Sequence, residues 1–520
     1  MLAFDLGSSG AKVGLVDARG RLLASAAEPY GLRLHPDGGA EQDAEQWWDA
    51  LVRCSRKVLA AAGTSKDAVA VVACTSQWSA TTAVDENARP LGPVISWMDT
   101  RGGVHNRTLM KGFPSIQGYG LYPLWRWLRA AGVPPTRSGV DSLGHMLFLK
   151  HERPEIYAKA YKLLEPMDFI TFRLTGRATS TRSTAFPTLL TDVKAKDPGR
   201  YHPGLLESAG LDERKLGELI PVDAAVGTLC CAAAKELGLS PRTVVLAGVP
   251  DNHSSAVGAG AVHDFEAVAV LGTSGFLACH LPRRGLDLKT FLTTMPSPLP
   301  GRHLLFGDLG NNGNVLDSML ERQLYSEDEL THSERPPDAY SRLDEVLVRV
   351  APGSDGVLFL PWFNGTLCPR EDSAMRGGFL NLSHHTTRAH LARAMIEGLC
   401  LNWRWLLNAV EKFTGSPLLS LRLAGGGARS RQWGQVMADV LNRRIHPVAD
   451  PLNCNVLGAA FLAFRHLGIL SVEQMPELVR HTEVLQPRPQ HTARYDVAFE
   501  HFLVAERALR PVFHALNPRR

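Results

Sequence analysis

Strands alternating with helices, and one five-residue phrase that occurs twice, predict an α/β chain built from two similar halves. The phrase is Leu6-Gly7-Ser8-Ser9-Gly10, echoed by Leu271-Gly272-Thr273-Ser274-Gly275 near the midpoint of the 520-residue chain. Each copy follows a short apolar run, Leu2-Ala3-Phe4 in one half and Val268-Ala269-Val270 in the other. A small, hydroxyl-rich, glycine-bounded turn after a strand exposes backbone N–H groups and lets a polyanion approach closely. Two such turns predict a phosphate gripped from both sides of a cleft.

The elements follow in order. Residues 2–5 read as a strand, the glycine turn follows, and Val13 to Asp17 returns; Ala18-Arg19-Gly20 turns the chain again before Leu22 to Ala26. A helix is expected from Asp43, with Gln46 completing a capping-box-like pair. Its apolar positions, Trp47/Trp48, Leu51, Val58/Leu59 and Ala62, recur at helical spacing. Val69 to Cys74 is a continuous apolar run, as in a strand covered on both faces. The Gly- and Pro-rich segment from about Gly112 to Gly144, with its aromatic and Arg residues, reads as an insertion and part of a lid. A domain boundary is placed near Pro241–Gly248, where Thr243 to Ala247 starts a strand. The second half repeats the logic with a strand at 267–271 and helices near 312–324 and 388–412. Leu419 to Ala424 is a strand running into Gly425-Gly426-Gly427, and a helix follows from Ser430 to Leu441. The expected domains are 1–245 and 246–485, with a helical tail over 486–520.

Composition excludes several classes. The formal net charge is +4, and the Lys and Arg residues are scattered, so no electrostatic footprint for nucleic acid is present. The eight cysteines include no CxxC pair, which leaves a zinc ribbon or thioredoxin-like site unsupported. Several sit in apolar runs and read as buried thiols in a reducing compartment. No apolar run is long enough to span a bilayer, and the start enters a strand at once, so a cytoplasmic location is expected. His384-His385 lacks a partnering ligand cluster and reads as surface loop.

No Walker A string occurs, and Gly425 to Ser430 lacks the third glycine of a dinucleotide fingerprint. The remaining arrangement, two clamping turns on two halves, resembles the actin/Hsp70/hexokinase ATPase superfamily and its ribonuclease-H-like fold. A series of strings runs along the chain: Asp5 to Lys12, Glu41-Gln42-Asp43 before Gln46-Trp47-Trp48, Trp97-Met98-Asp99-Thr100-Arg101, Asp251-Asn252 before Ala256 to Gly260, and Leu271 to Gly275. Gly378 to Glu397, Gly425 to Val440 and Gly458-Ala459-Ala460 complete it. On these strings, along roughly residues 2–465, the chain resembles the FGGY family of carbohydrate kinases, in its xylulokinase branch.

The resemblance implies two duplicated domains with a catalytic cleft between them. It also implies phosphoryl transfer from ATP to a hydroxyl of a small ketose or polyol, most nearly D-xylulose to D-xylulose 5-phosphate. Such transfer needs an in-line nucleophile, charge neutralisation on the γ-phosphate and exclusion of water. Ser8, Ser9, Gly10, Lys12, Gly272, Thr273 and Ser274 are the expected phosphate contacts. Gly426, Gly427 and Arg431 are expected to build the adenine pocket, with the guanidinium on the ring face. Asp5, at a strand end, is expected to hold Mg²⁺ through water. Asp251 is the expected general base, the alternative being a helix cap. On the sugar side, Gln77-Trp78 stands where the xylulokinase branch carries Met-His; Trp78 offers a flat face and one N–H. Asp99 and Arg101 either hold sugar hydroxyls or form a structural ion pair. Asn252 supplies a donor and acceptors for adjacent hydroxyls. Further departures are His145 in place of a lysine, Asn381 in place of a glycine, and Thr366-Leu367 where the family has Glu-Arg. The alternatives are another acceptor (ribulose, a tetritol, gluconate or glycerol) or a sugar sensor without turnover. Family members often dimerise, so the resemblance allows a homodimer, while charge and hydropathy give the expectation of no nucleic-acid and no membrane partner.

Overall fold

The structure, a computed structural model, describes residues 1–330 and 332–517. The chain divides into two compact units. The first comprises Met1–Gly258, Met295–Gly301 and Asn455–Leu478; the second comprises Ala259–Thr294, Arg302–Cys454 and Val479–Arg520.

In the first unit, β1 (Leu2–Leu6) turns at Gly7–Ser9 into β2 (Gly10–Val16), and β3 (Leu22–Pro29) follows antiparallel to it. Helix α1 (Ala44–Ala61) begins at Asp43, whose side chain accepts from the Glu45 N–H. Gln46 does not complete a box; its Oε1 accepts instead from the Gly31 N–H at 3.4 Å. Trp47, Trp48, Leu51 and Val58 form the buried face of α1, as the helical spacing predicts. Strand β4 (Val71–Ser76) lies parallel to β1 and is buried at every residue, which accounts for its unbroken apolar pattern.

The segment expected to be an insertion is ordered. A hairpin pairs Ser115–Ile116 with Tyr119–Gly120, and helix α2 (Leu121–Ala130) buries Leu124, Trp127 and Ala130. Helix α3 (Pro166–Thr175), strand β5 (Ala225–Thr228), β6 (Val244–Leu246) and β7 (Val249–Pro250) come next, then α4 (Asp251–Gly258). The sheet order is β5-β6-β4-β1-β2-β3, and β7 also pairs with β4.

The expected boundary at 245 is therefore too early. β6 and β7 both hydrogen-bond to β4 in parallel, so the chain belongs to the first unit through Gly258. The helix Cys454–His466 also packs there from Asn455 onward, a long-range return that no local pattern signals.

The second unit repeats the plan. Strands β8 (Ala267–Leu271), β9 (Gly275–Leu281), β10 (Leu286–Asp287), β11 (Leu292–Pro296), β12 (His303–Asp308), β13 (Ser420–Ala424) and β14 (Arg444–Pro447) form one sheet. Its order is β10-β11-β12-β9-β8-β13-β14. The run β3-β2-β1-β4-β6 corresponds to β12-β9-β8-β13-β14 strand for strand. Both have two antiparallel joints followed by two parallel ones. Helices α5 (Gly313–Met319), α6 (Arg388–Thr414), α7 (Arg431–Leu441) and α8 (Pro489–Leu516) accompany this sheet, and α8 is the expected helical tail. Asn381, where the resemblance expects a glycine, takes a left-handed conformation at φ 63° and donates to Gly356 O. Near Thr366-Leu367, Arg370 pairs with the buried Glu506 of α8 at 2.9 Å.

Candidate active site

In the first unit the expected functional residues leave the same edge of one sheet. β1, β4 and β7 are parallel, with Asp5 opposite Thr75, Leu6 opposite Ser76, and Pro250 opposite Ser76. Their carboxyl ends therefore deliver, side by side, the turn Gly7–Ser9, the pair Gln77-Trp78 and the start of α4 at Asp251-Asn252. In open α/β sheets this edge is where ligands bind.

Asp5 is buried, and the register places it opposite Lys12, whose Nζ lies 3.6 Å from Asp5 Oδ2. Asn455 Nδ2 donates to Asp5 Oδ1 at 3.3 Å and Asn455 Oδ1 accepts from Ser255 Oγ at 2.5 Å. Burial pushes the Asp5 carboxyl above its usual range, and Lys12 and Asn455 partly offset this. Asn455 thus ties the carboxylate of the first turn to α4. Sequence reading missed it, although it stands three residues before Gly458-Ala459-Ala460.

The residues around the first turn are held from behind. Tyr30 donates to Gly7 O. Gln77 Nε2 donates to Gln42 Oε1 at 2.6 Å, and Gln42 Nε2 donates to Ser8 O at 2.8 Å. Trp97 Nε1 donates to Ser8 Oγ at 2.9 Å. Ser9 stays exposed at the tip. Gln42 and Trp97 lie inside strings that carried the resemblance, so their positions were marked in the sequence while their roles were not.

Asp99 and Arg101 form an ion pair with each other. Asp99 is fully buried and accepts from Ala40 N at 2.9 Å, Arg101 N at 2.9 Å and Arg101 Nη2 at 2.6 Å. Arg101 also donates to Glu41 at 2.7 Å and lies 4.4 Å over the Phe148 ring. His145 is buried beside Asp99 and Asp141, and desolvation outweighs those carboxylates, holding its imidazole below the ordinary value.

Trp78 is half-buried and stacks on Phe186, with centroids 6.2 Å apart and planes at 15°. The next residue, Ser79, sits at φ 59° and donates to Val140 O. Glu165 anchors this bend by accepting from Ala80 N at 3.2 Å and from Ser142 Oγ. Desolvation pushes the Glu165 carboxyl up to about 8 and that of Asp168, one helical turn on, up to about 7. Asp251 is half-buried at the first residue of α4. The adjacent Asn252 is buried, with Nδ2 3.7 Å from Met295 Sδ and Oδ1 2.7 Å from His253 Nδ1.

The second unit shows the same edge logic. β8 ends at Leu271, its parallel neighbour β13 ends at Ala424, and Val270 faces Ala424. The turn Gly272-Thr273-Ser274 therefore adjoins the triple glycine. Gly425 has φ 83°, and a Cβ there would lie 2.7 Å from Leu271 O; one on Gly427 would lie 2.7 Å from Leu271 Cβ. Gly426 faces open space, and Thr273 is exposed. Gly272 O is held by the Gly313 N–H at 3.1 Å and by Asn312 Nδ2 at 3.1 Å. Arg431, the first residue of α7, is paired with Glu483 at 2.9 Å and is more than half exposed. Among the described residues no group of three or more His, Cys, Asp or Glu stands ready for a metal, and no helix is long and apolar enough to cross a membrane.

A duplicated sheet of this connectivity, with a glycine–hydroxyl turn heading each hairpin, is the actin-like ATPase fold. A solved structure of ligand-bound xylulose kinase from Lactobacillus acidophilus superposes with a TM-score of 0.85 at 22% identity, covering 99% of each chain. The FGGY carbohydrate kinase N-terminal domain matches residues 1–258 and the C-terminal domain residues 267–467, so the chain belongs to the FGGY family of carbohydrate kinases. Xylulose kinase of Staphylococcus epidermidis is 28% identical over 95% of this chain and 94% of its own length. Gluconokinase of Bacillus subtilis is 26% identical over 99% of this chain and 95% of its own length. The chain is thus an ATP-dependent kinase acting on an alcohol group of a carbohydrate.

Proposed function

We propose that the enzyme transfers the γ-phosphate of ATP to a hydroxyl of a small ketose or polyol, most nearly D-xylulose to D-xylulose 5-phosphate, with Asp251 as general base. The observation that carries this reading is the shared carboxyl edge of β1, β4 and β7, which sets Asp251-Asn252, Gln77-Trp78 and the Ser8-Ser9 turn side by side. Trp78 gives the carbon face of the sugar an apolar wall. Asn252 bonds neighbouring hydroxyls, and Asp251 accepts the proton of the attacking one. Asp99 and Arg101 act at one remove, fixing the loops that carry Ala40 and Glu41. Ser8, Ser9, Gly10 and Lys12, with Gly272, Thr273 and Ser274, contact the phosphates, while Gly426 and Gly427 admit the adenosine.

Asp5 suits a nucleotide-borne Mg²⁺. A hard cation of this size keeps most of its waters and takes one or two carboxylates beside the phosphates, and Asp5 already stands opposite a phosphate-turn lysine. When bound, Mg²⁺ supplies charge neutralisation at the transferring group. Gluconate is the second reading, favoured by the gluconokinase relatives and by Gln77-Trp78 in place of the branch's Met-His.

ADP release from Mg·ATP, measured against a panel of ketoses, polyols and aldonates with Asp251→Asn alongside, tests both readings. A response to one acceptor that falls about 10²–10⁴-fold in the variant, with ATP binding retained, is expected. Near-wild-type turnover in Asp251→Asn moves the base elsewhere. A flat panel with intact ATP binding points to a sensor.

A further inference from the structure

A cleft of about 350 Å³ opens in the second unit among residues that the phosphoryl chemistry does not use. That volume suits a small metabolite. The helix Ala339–Arg349 reaches it with Arg349, α6 with Arg393, α7 with Gln432, and the start of α8 with Arg488 and His491. Among the described residues no Asp or Glu lines it. Arg393 is only 2% exposed. Its Nη1 donates to Leu347 O at 2.5 Å and to Val350 O at 2.9 Å, satisfying carbonyls at the end of the helix Ala339–Arg349. Its Nε donates to Glu397 Oε1 at 2.8 Å, and its Nη2 to Tyr495 Oη at 3.2 Å. A guanidinium has five N–H groups, so one on Nη2 is left without an acceptor among the described residues.

The other donors are freer. Arg488 gives Nε and Nη2 to the buried Asp439, at 2.9 and 2.5 Å, and its Nη1 has no acceptor among the described residues. The side chains of Arg349, Gln432 and His491 have no hydrogen-bond or ion-pair partner among the described residues. At the rim, Arg494 Nη1 donates to Pro352 O. Glu397 thus matches Arg393 and Asp439 matches Arg488, whereas Arg349 and Arg494 have no carboxylate partner among the described residues. The excess charge acts on His491. Burial holds its imidazole below the ordinary value, and Arg488, Arg393 and Arg494 add to this against the opposing pull of Asp439.

We propose that this cleft binds the phosphate group of a small phosphorylated metabolite, at a site separate from the ATP turns. A phosphate monoester near neutral pH brings a charge of about −2 and three strong acceptor oxygens. The charge answers the two unmatched guanidinium groups, and the oxygens take charge-assisted hydrogen bonds from the free N–H groups of Arg349 and Arg488. Gln432 and His491 add neutral donors. Leu347, Val350 and Val436 give the carbon part of the ester an apolar wall. None of the residues assigned to ATP lines the cleft: α7 starts directly after the triple glycine, but its first side chain, Arg431, is paired with Glu483, and the lining begins at Gln432. An occupant joins the ends of three helices, so it stabilises the fold by mass action.

The experiment uses the full-length protein with Mg²⁺ and a saturating non-hydrolysable ATP analogue, so that the phosphate positions of the active site are already filled. Isothermal titration and melting curves are recorded with n-propyl phosphate, inorganic phosphate and, as the uncharged control, 1-propanol. Wild type, Arg349→Gln and Arg349→Glu are compared. Propyl phosphate is expected to bind wild type with submillimolar affinity and to raise its melting temperature, inorganic phosphate to bind more weakly, and propanol to do neither. Arg349 is exposed at the end of its helix, so both variants keep wild-type circular dichroism and turnover. Loss of one charge-assisted bond in Arg349→Gln weakens the ester by about tenfold or more, and the reversed charge in Arg349→Glu abolishes its binding. Wild type that gives neither heat nor a melting shift while the analogue is bound overturns the proposal, as does binding that both variants leave unchanged. Inorganic phosphate that binds as tightly as the ester also overturns it, in favour of a free-phosphate site.

Discussion

Replacing Asp99 with Asn separates a structural ion pair from a sugar contact. The carboxylate is fully buried, and protein donors occupy both of its oxygens: Ala40 N and Arg101 N at 2.9 Å, and Arg101 Nη2 at 2.6 Å. An Asn of the same shape keeps one acceptor but turns an NH₂ either toward the Arg101 N–H and Nε, in place of Oδ1, or toward the Ala40 N–H and Arg101 Nη2, in place of Oδ2, donor against donor. It also removes the charge that balances Arg101, whose side chain is only 9% exposed. Breaking a buried pair on one side costs about 3–5 kcal/mol. Glu41 stays 2.7 Å from Arg101 and shares the charge, so the lower figure of about 3 kcal/mol applies here. That is roughly a hundredfold in the folding equilibrium. Urea unfolding of wild type and Asp99→Asn, followed by far-UV circular dichroism, reads this directly. The sugar and ATP constants measured on the folded variant then show whether binding moves by itself. Asp99→Asn with wild-type stability and a tenfold higher sugar KM would refute the structural reading and return the carboxylate to the substrate.

The remaining predictions are briefer. Trp78→Ala is expected to raise the sugar KM while leaving the ATP KM little changed, since the ring stacks on Phe186 beside the proposed sugar residues; steady-state kinetics with each substrate varied decides, and an unchanged sugar KM puts Trp78 in the core. Gly425→Ala is expected to raise the ATP KM and lower the melting temperature together, because the residue sits at φ 83° and its new methyl meets Leu271 O at 2.7 Å. Isothermal titration with an ATP analogue checks it, and wild-type affinity removes Gly425 from the nucleotide side. The raised carboxyls of Glu165 (about 8) and Asp168 (about 7) make the folded state bind more protons than the unfolded state above the usual carboxylate range. Their contribution to stability is complete at low pH and is lost as pH rises through about 7 to 8. Glu165→Gln should therefore flatten the decline between pH 5.5 and about 8.5 in a melting series; a slope equal to wild type shows that Glu165 does not titrate there.

What the sequence made legible follows from the range over which each signal acts. The two turns, the apolar run of β4 and the face of α1 are local, and the structure has them where the residues place them. The boundary at 245 was misplaced because β6 looks like any strand beginning a domain. Only its parallel pairing with β4, some 170 residues earlier (244 minus 71 is 173), assigns it to the first sheet. Asn455 was invisible for the same reason, since its contact with Asp5 spans 450 residues. Between these extremes lie Glu41, Gln42, Trp97, Asp99 and Arg101. They stood out as family strings, and a string seen without its partners suggests chemistry. In the structure the five also bond to one another's loops: Gln42 and Trp97 grip Ser8, and Glu41, Arg101 and Asp99 lock the loop beside it. A turn that offers backbone N–H groups to phosphate cannot also supply its own rigidity, because the groups that would stiffen it are the ones presented. Its support has to come from side chains on other loops, and this need for preorganised support accounts for polar strings so far from the turn they serve.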